Sequence, residues 1–437
     1  MLLTEKHIID KQHELYAEID KLCFLSKNLF NVANYYTRQA FIATSRLKED
    51  GKMEYAMWIN YYEMERMLKK MKHPDYIALP RKVSQQILMQ LHEDWKSFFN
   101  AIKDWKINPS KYSGKPNLPH YKKVSGGTSK ARAGLSYTIQ TLSKKVWKKE
   151  GLIGLSGTAI KILSQNGTLQ NIKEVRLTCM SSQYKVEVVY EKEFEKKNVN
   201  KKRIAGGDVG VNNLIAITSN TKMQPFLING RPLKSMNQYY NKKRAELMSQ
   251  LMKHDDKRRW SKKLSKLTNK RNNKIDDYLH NSSTYIINRL VENNIGTFII
   301  GKNPEWKQEI NIGSTNNQNF LHIPHARFIE MLQYKGVIAG IEVIVQEESY
   351  TSKCSFLDKE EVCKHETYAG KRIKRGLFRS KDGTKINADC NGSGNIIIKA
   401  IPDAFADGIE GVVVRPVKVV PVHFHRRKIC EVKKQAA

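Results

Sequence analysis

Residues 203–220 read RIAGGDVGVNNLIAITSN, and this stretch decides the class of the fold. A short apolar run leads into Gly206, Gly207 and Asp208, and a second apolar run follows at 214–217. We interpret the stretch as a strand, a Gly-rich turn and a second strand. It therefore predicts a strand pair that carries an aspartate, Asp208, at the end of its first strand.

The residues that follow predict an α/β domain. QPFLING (224–230) is typical of a third strand, and a long helical segment comes after it. GTFIIGKN (296–303) and IEVIVQEE (341–348) predict two more strands, with a helix at 324–340 between them. Three antiparallel strands followed by alternating helices and strands is the order of an RNase H-like domain. In that fold, acidic residues at strand ends meet across the sheet.

The N-terminal part has a different pattern. Apolar residues recur near helical spacing at 11–41 and 83–102, and a basic, irregular connector occupies 107–134. Short β-type runs then fill 152–194. We predict a helical unit that precedes, or is inserted in, a small β-barrel or sheet.

Composition indicates a polyanionic partner. The 437 residues include 76 Lys or Arg against 43 Asp or Glu, a formal net charge of +33. No apolar run approaches the roughly 18 to 20 residues of a membrane-spanning helix, so nucleic acid is the better partner and we expect no membrane. Six cysteines are too few and too scattered for a disulfide framework, which predicts a reducing, cytoplasmic compartment.

Residues 242–274 concentrate the positive charge. Lys or Arg occupy 13 of these 33 positions, against three acidic residues, and leucines are interleaved. A solvated helix face is the simplest alternative. We favour a phosphate-contacting helical hairpin that supplies affinity rather than sequence reading. Its predicted contacts are Lys242, Lys243, Arg244, Lys257, Arg258, Arg259, Lys262 and Lys263.

Carboxylates mark three separate places in the chain. Glu347 and Glu348 end a predicted strand, and Asp389 in INADCNGSGNI (386–396) begins a predicted helix. Buried carboxylates cost free energy unless they are paired or bind a metal. Asp208 as a turn residue and Asp389 as a helix cap are the alternatives. Three converging carboxylates would bind two Mg²⁺ ions suited to phosphodiester hydrolysis.

Four blocks carry a resemblance to a known family: GGDVGVNNLIAITS (206–219), NQNFLHIPHARFIEMLQYKG (317–336), EESYTSKCSFLD (347–358) and GKRIKRGLFRSKDGTKINADCNGSGNI (370–396). They resemble TnpB, the transposon-encoded relative of type V CRISPR nucleases, also called OrfB transposase. The resemblance implies an RNase H-like RuvC nuclease domain at 204–400, and an N-terminal recognition lobe of helices with a wedge β-barrel at 1–195. It also implies a guide RNA from the transposon end, which pairs with double-stranded target DNA while the protein reads a short adjacent motif.

The chain departs from the common TnpB pattern at its middle catalytic glutamate. Gly301 stands where most relatives carry that residue. A branch of the family has the glutamate on the next strand, three residues before the Thr of a Thr-Ser pair, which is Glu348 here. Strand alternation would send Glu347 to the opposite face. The resemblance thus implies Asp208, Glu348 and Asp389 as catalytic Mg²⁺ ligands.

A second departure concerns zinc. Relatives follow the Thr-Ser pair with two Cys-x-x-Cys pairs, whereas here Cys354 alone holds such a position and Leu357 replaces its partner. We expect a degenerate, zinc-free ribbon loop at 351–385, since Cys363 and His365 have the wrong spacing. Its basic residues Lys371, Arg372 and Arg375 are predicted to contact nucleic acid.

The sequence thus predicts an RNA-guided, Mg²⁺-dependent DNA endonuclease from a prokaryotic mobile element, located in the cytoplasm at the nucleoid. Residues 401–437 are predicted to be a basic tail. Two rival functions stay open: a nuclease-inactive, RNA-guided DNA-binding repressor, and a DDE-type transposase that joins strands.

Overall fold

A computed structural model describes residues 1–122, 135–138, 151–167, 171–180, 183–195, 197–254, 260–303, 322–406, 408 and 416–421. The chain divides into two compact units. The first comprises residues 1–193 and 259–265, and the second comprises residues 194–258 and 266–437. No helix within the described ranges is long and apolar enough to cross a bilayer.

Within its described residues, the first unit combines four α-helices with six strands. Its helices are α1 (Tyr16–Glu49), α2 (Tyr61–Lys70), α3 (Pro74–Ile77) and α4 (Arg81–Ile107). Its strands are β1 (Leu2–Ile9), β2 (Leu135–Thr138), β3 (Leu152–Gly154), β4 (Lys161–Leu163), β5 (Ile172–Cys179) and β6 (Tyr184–Glu191). Helix α1 follows the predicted apolar spacing, because it buries Ile19, Leu22 and Leu29 on one face.

The strand order shows how the helices are placed in the chain. The larger sheet has the antiparallel order β1-β6-β5-β2, and β3 and β4 form a separate two-stranded ribbon. All four helices lie between β1 and β2 in sequence, which confirms that the helical unit is inserted rather than leading. Closure into a barrel is not seen among the described strands and stays a prediction.

Strand β1 precedes the predicted helices, and the sequence interpretation did not include it. Its inward positions include Glu5 and His7, whereas Leu2 and Ile8 are exposed, so apolar and polar residues do not alternate in the usual way. Glu5 is buried because Ser164, Gln165 and Asn166 donate hydrogen bonds to its carboxylate. The buried glutamate therefore hides the strand pattern.

The second unit contains the predicted α/β domain. Its strands are β7 (Asn200–Val209), β8 (Asn213–Ser219), β9 (Phe226–Asn229), β10 (Ile295–Gly301), β11 (Glu342–Gln346), β12 (Lys371–Lys374), β13 (Leu377–Arg379), β14 (Lys385–Asn387) and β15 (Val417–Val419). Its helices are α5 (Arg231–His254), α6 (Lys262–Glu292), whose first turn is counted with the first unit, α7 (His325–Ala339) and α8 (Ala388–Ala400).

A six-stranded mixed sheet organises this unit, in the order β11-β10-β7-β8-β9-β15. Strands β7, β8 and β9 are antiparallel neighbours, and β10 and β11 run parallel to β7, which is the predicted order. One face packs on α6 and α7 through residues such as Phe298, Ile286 and Phe328. The other face packs on α8 through Ile299, Ile396 and Ile397.

The predicted C-terminal tail needs a correction. Residues 417–419 form β15, which pairs in parallel with β9 at the edge of the sheet. The register Val417↔Phe226 to Val419↔Ile228 adds a sixth strand. Three residues are too short a run for a strand to be recognised from their pattern alone. The rest of the segment after 421 lies outside the described residues.

Helices α5 and α6 run antiparallel where they meet, as expected for the predicted hairpin. Tyr240 Oη and Thr268 Oγ1 lie 3.1 Å apart, and Arg271 Nε donates to Asn237 Oδ1 at 2.8 Å. Moving back along α5 from Tyr240 to Asn237 corresponds to moving forward along α6 from Thr268 to Arg271. The two helices therefore pack side by side in opposite directions. The residues that join the helices, 255–259, lie outside the described ranges.

Candidate catalytic site

Asp208 lies inside β7, one residue before the strand ends. A Cβ on Gly206 would clash with the Ser393 carbonyl oxygen of α8, and one on Gly207 would lie 2.8 Å from Ile215 Cδ1. These glycines permit close packing of the helix and the core against β7. The alternative of Asp208 as a turn residue is therefore wrong, and the turn begins at Gly210.

Asp389 lies in the first turn of α8, but it is not the helix cap. The Asn387 side chain accepts hydrogen bonds from the backbone N–H groups of Asp389 and Cys390, at 3.0 and 3.2 Å. The Asp389 carboxylate instead accepts a hydrogen bond from Asn213 Nδ2 at 2.6 Å and lies 3.8 Å from Arg372 Nη2. Asn387 thus leaves the aspartate available to the cavity described below.

Glu347 and Glu348 follow the last residue of β11, so strand alternation does not decide their directions. Lys399 Nζ donates to Glu347 Oε2 at 2.6 Å, and this hydrogen bond lowers the pKa of Glu347. The Glu348 side chain has a different partner, because Asn303 Nδ2 donates to its Oε1 at 3.3 Å. Burial, followed by the charge of Glu347, raises the pKa of Glu348 to about 7.

The structure brings the three predicted carboxylates into one electrostatic group. Desolvation, followed by the charges of Glu348 and Asp389, raises the pKa of Asp208 well above its usual value, and Arg372 offsets part of this effect. Glu348 Oε2 is buried and has no hydrogen-bond partner among the described residues. Glu348 Oε2 is therefore a buried carboxylate oxygen without compensation among these residues, which is costly without a cation.

The three carboxylates are not closed into a ready ligand cage. Across the described residues, no three His, Cys, Asp or Glu side chains stand at the separations of a metal site. The case for a metal at these residues therefore depends on their uncompensated charge.

A hydrogen-bond chain from α8 places Glu348. Asn395 Nδ2 donates to the backbone carbonyls of Thr351 and Cys354, at 2.8 and 2.7 Å, and Asn391 Nδ2 donates to the Cys354 carbonyl at 2.8 Å. Thr351 Oγ1 in turn donates to the Glu348 carbonyl at 2.8 Å. The two asparagines near Asp389 therefore position the turn that follows Glu348.

A cavity of about 420 Å³ opens beside Asp208 and Asp389. Arg372 and Arg375, both predicted contacts of nucleic acid, line it. Arg231 and Lys418 also line it, and the sequence interpretation missed both of them. Glu348 is not part of this lining.

The remaining basic residues that the structure describes are not part of the cavity lining. Lys242 and Arg244 are exposed on α5, and Lys243 pairs with Glu246 at 2.8 Å. Lys262 and Lys263 are exposed at the start of α6, and Lys371 is exposed on β12. Lys257, Arg258 and Arg259 fall outside the described residues. Contact of these side chains with nucleic acid stays a prediction.

The loop predicted as a degenerate zinc ribbon ends in a small antiparallel sheet, β12-β13-β14. Cys354 is fully buried, and its thiol donates to the Cys363 carbonyl at 3.5 Å. Cys363 Sγ lies 3.4 Å from His365 Nε2. The absence of zinc stays a prediction.

Comparison with known proteins finds both family profiles and individual proteins that are similar to this chain. A family profile described as "Probable transposase" matches residues 184–307, and one described as "Cas12f1-like, TNB domain" matches residues 325–396. The "TnpB-like protein ORF457" of Acidianus two-tailed virus is 24% identical over 446 residues, covering 92% of this chain and 85% of the viral protein.

Solved structures match as well, among them one titled "Cryo-EM structure of the Cas12f1-sgRNA-target DNA complex". It shares the fold at a TM-score of 0.51 and 15% identity, over 87% of this chain and 82% of that one. The resemblance to TnpB seen in the sequence is confirmed.

Proposed function

We propose that this chain, whose matches support a TnpB-type protein, is an RNA-guided DNA endonuclease that uses divalent metal ions in a RuvC-type domain at 204–400. One observation carries the proposal: Asp208 and Asp389, far apart in sequence, line one cavity, and the charges of Asp389 and of the equally distant Glu348 raise the pKa of Asp208. Cations line the neighbouring cavity, as expected for a site that receives a polyanion.

The residues fit a Mg²⁺ site. Glu348 Oε2 and Asn213 Oδ1 are buried oxygens without partners among the described residues. Hard cations such as Mg²⁺ prefer oxygen ligands, and a cation would relieve the like-charge repulsion at Asp208. Asp208, Glu348 and Asp389 would hold the ions. When bound, two such ions activate a water and stabilise the leaving oxygen of a phosphodiester.

The chain's own residues prepare this chemistry by fixing the carboxylates. Asn213 holds one oxygen of Asp389 at 2.6 Å, and Asn303 holds one oxygen of Glu348 at 3.3 Å. Each carboxylate thus keeps a second oxygen for a ligand. Arg372, 3.8 Å from Asp389, can bind phosphate at the cavity wall. Preorganised groups of this kind need little rearrangement when substrate binds.

Charge supports the RNA and DNA partners. The net charge of +33 and the exposed lysines of α5 and α6 suit phosphate backbones. We propose that a guide RNA from the transposon end selects the target by base pairing, and that the protein reads a short adjacent motif. Residues 1–195 would form the recognition lobe and wedge barrel that hold RNA and duplex.

The test is to express the gene with its native downstream DNA and to sequence the RNA that copurifies with the protein. We expect one discrete RNA, and Mg²⁺-dependent cleavage of duplex DNA that matches its variable end. Asp208→Ala is the matched control, which should bind the same RNA without cutting. Recovery of no discrete RNA would remove guided cleavage and leave a generic nuclease or binder.

The same assay separates the two rival functions. A repressor would bind the matching duplex and leave it intact in Mg²⁺. A strand-joining transposase would yield products in which DNA ends are covalently linked to new sites. Simple cleavage products exclude both.

A further inference from the structure

The cavity beside Asp208 and Asp389 carries more positive charge than these two carboxylates neutralise. Its four cationic lining residues are Arg231, Arg372, Arg375 and Lys418. Arg372 is 3.8 Å from Asp389. In the part of the chain that the structure describes, Arg231 and Lys418 form no ion pair with a carboxylate. Two cations that line a cavity without forming an ion pair suit an anionic ligand.

Strand register places Lys418 on the same face of the sheet as Asp208. Asp208 pairs with Ala216, Ala216 pairs with Leu227, and Leu227 pairs with Lys418. Directly paired residues project to the same face, so the four form one row across β7, β8, β9 and β15. Three strand spacings separate the ends of the row, about 14 Å between backbones. Lys418 can thus bind a ligand that extends beyond the aspartate.

A close backbone approach brings Arg231 to the same place. Gly230 N donates to the Asn212 carbonyl at 2.9 Å, and a Cβ on Gly230 would clash with the Val211 carbonyl. The glycine therefore lets the start of α5 lie against the turn between β7 and β8. Arg231 and Lys418 line the same cavity, and burial, followed by the charge of Arg231, lowers the pKa of Lys418, while Asp389 offsets part of this effect.

We infer that Arg231 and Lys418 form a phosphate-binding subsite that positions the nucleic-acid strand held beside Asp208 and Asp389. The inference rests on the proposed function for the identity of that strand. The ligand is a backbone phosphodiester of that strand other than the one that is cut, because Lys418 lies three strand spacings from Asp208. Arg231 offers a planar fork of donors and Lys418 a point charge, and both suit phosphate oxygens. They are positioning residues, since neither belongs to the carboxylate group.

The test uses the full chain with its copurified RNA and a labelled, matching duplex under single-turnover conditions. Arg231→Ala and Lys418→Ala should each slow cleavage roughly tenfold, the loss expected for one charge-assisted contact, with unchanged occupancy of the target. Arg231→Lys and Lys418→Arg should restore most of the rate. Lys222→Ala is the matched control, because Lys222 is exposed in the same unit and does not line the cavity.

A second measurement does not depend on catalysis. Binding of a fluorescein-labelled single-stranded oligodeoxynucleotide, without complementarity to the RNA, is followed by anisotropy over a range of NaCl concentrations. Each alanine variant should lower the slope of log affinity against log salt by about 0.7, the value for one lost contact on a single strand. If Lys418→Ala unfolds early in a thermal melt, Lys418→Met keeps the apolar stem and removes only the charge.

The outcomes separate this inference from the proposed function. Variants that match Lys222→Ala in both measurements would overturn the subsite. If the wild type never cuts, but the alanine variants still lower the salt slope of oligonucleotide binding, the endonuclease is rejected and the subsite is kept. Displacement of the oligonucleotide by millimolar inorganic phosphate would show a free-anion site and overturn its assignment to a strand.

Discussion

The carboxylate of Glu348 occupies the space that a side chain on Gly301 would fill. An ideal Cβ on Gly301 would lie 2.6 Å from Glu348 Oε2 and 2.5 Å from Ile396 Cδ1. Gly301 ends β10 and pairs with Gln346, two residues before Glu348 on the neighbouring strand. A glutamate just after β11 therefore reaches the point at which a β10 side chain would begin. The glycine makes room for the relocated carboxylate.

This relationship predicts opposite effects for the two adjacent glutamates. Glu348→Gln should lower Mg²⁺-dependent cleavage by at least roughly two orders of magnitude, because a neutral amide cannot replace a ligand charge. Target binding should survive, as measured by gel shift. Glu347→Gln should keep most activity, since Glu347 is bonded to Lys399 and Ser349. An essential Glu347 beside a dispensable Glu348 would reverse the assignment.

The same geometry predicts how a rescue must be built. Gly301→Glu alone should lower stability, because its Cβ would overlap Glu348 and Ile396. Gly301→Glu combined with Glu348→Gly removes the overlap with the glutamate and returns a carboxylate to the same space. We expect part of the cleavage lost in Glu348→Gly to return, as measured by single-turnover rates. No recovery, in a variant that melts like the wild type, would mean that the two positions do not serve one site.

Substitution of Asp208 should raise the stability of the protein and abolish its cleavage activity. Asp208→Asn removes a charge that desolvation and two like charges disfavour, so we expect a melting temperature a few degrees higher in EDTA. Cleavage should be abolished, and RNA association should stay unchanged because the basic surfaces are untouched. Asp389→Ala should also abolish cleavage. Appreciable cutting by either variant in Mg²⁺ would remove that aspartate from the site.

The sequence predicted the elements of the second unit whose apolar residues recur with strand or helix spacing. Strand β7 and helix α7 have long, regular apolar patterns, and Asp208 stands at a strand end. Gly206 and Gly207 suggested a turn, but Gly206 permits packing against α8 and Gly207 permits packing against Ile215 and Phe298, which only the tertiary structure shows. Arg231 and Lys418 were missed because their role depends on strand register between distant segments. The spacing of apolar residues within one segment does not show which distant segment that strand will pair with.

The loop at 351–385 gives a prediction about metal content. We expect no stoichiometric zinc in the purified protein, because Cys354 points to a backbone carbonyl and lacks its Cys-x-x-Cys partner. Cys354→Ser should cost only about 1 kcal/mol, since the hydroxyl can donate to the same acceptor. Elemental analysis and thermal melts check both statements. Zinc present at one equivalent and lost with Cys354 would contradict them, because a structural zinc contributes on the order of 10 kcal/mol.

Lys335 on α7 predicts a pH dependence of stability. Its Nζ donates to the His280 carbonyl, Ser283 Oγ and Thr284 Oγ1 of α6, at 2.8, 2.7 and 2.7 Å. Burial lowers the pKa of Lys335 to about 7, below the value of 10.5 expected in the unfolded chain. Between these two values the unfolded chain holds a proton that the folded chain lacks. The free energy of unfolding should therefore rise with pH in this window, by at most about 1.4 kcal/mol per pH unit.

Urea unfolding of the wild type and of Lys335→Met at a series of pH values above neutrality measures this contribution. The methionine has no titrating group, so the difference between the two curves isolates Lys335 from every other residue. We expect the wild type to gain stability relative to Lys335→Met as the pH rises from about 7 to about 10. Parallel curves would mean that the ammonium stays charged in the folded protein, because its three acceptors match its three N–H groups and outweigh its loss of water.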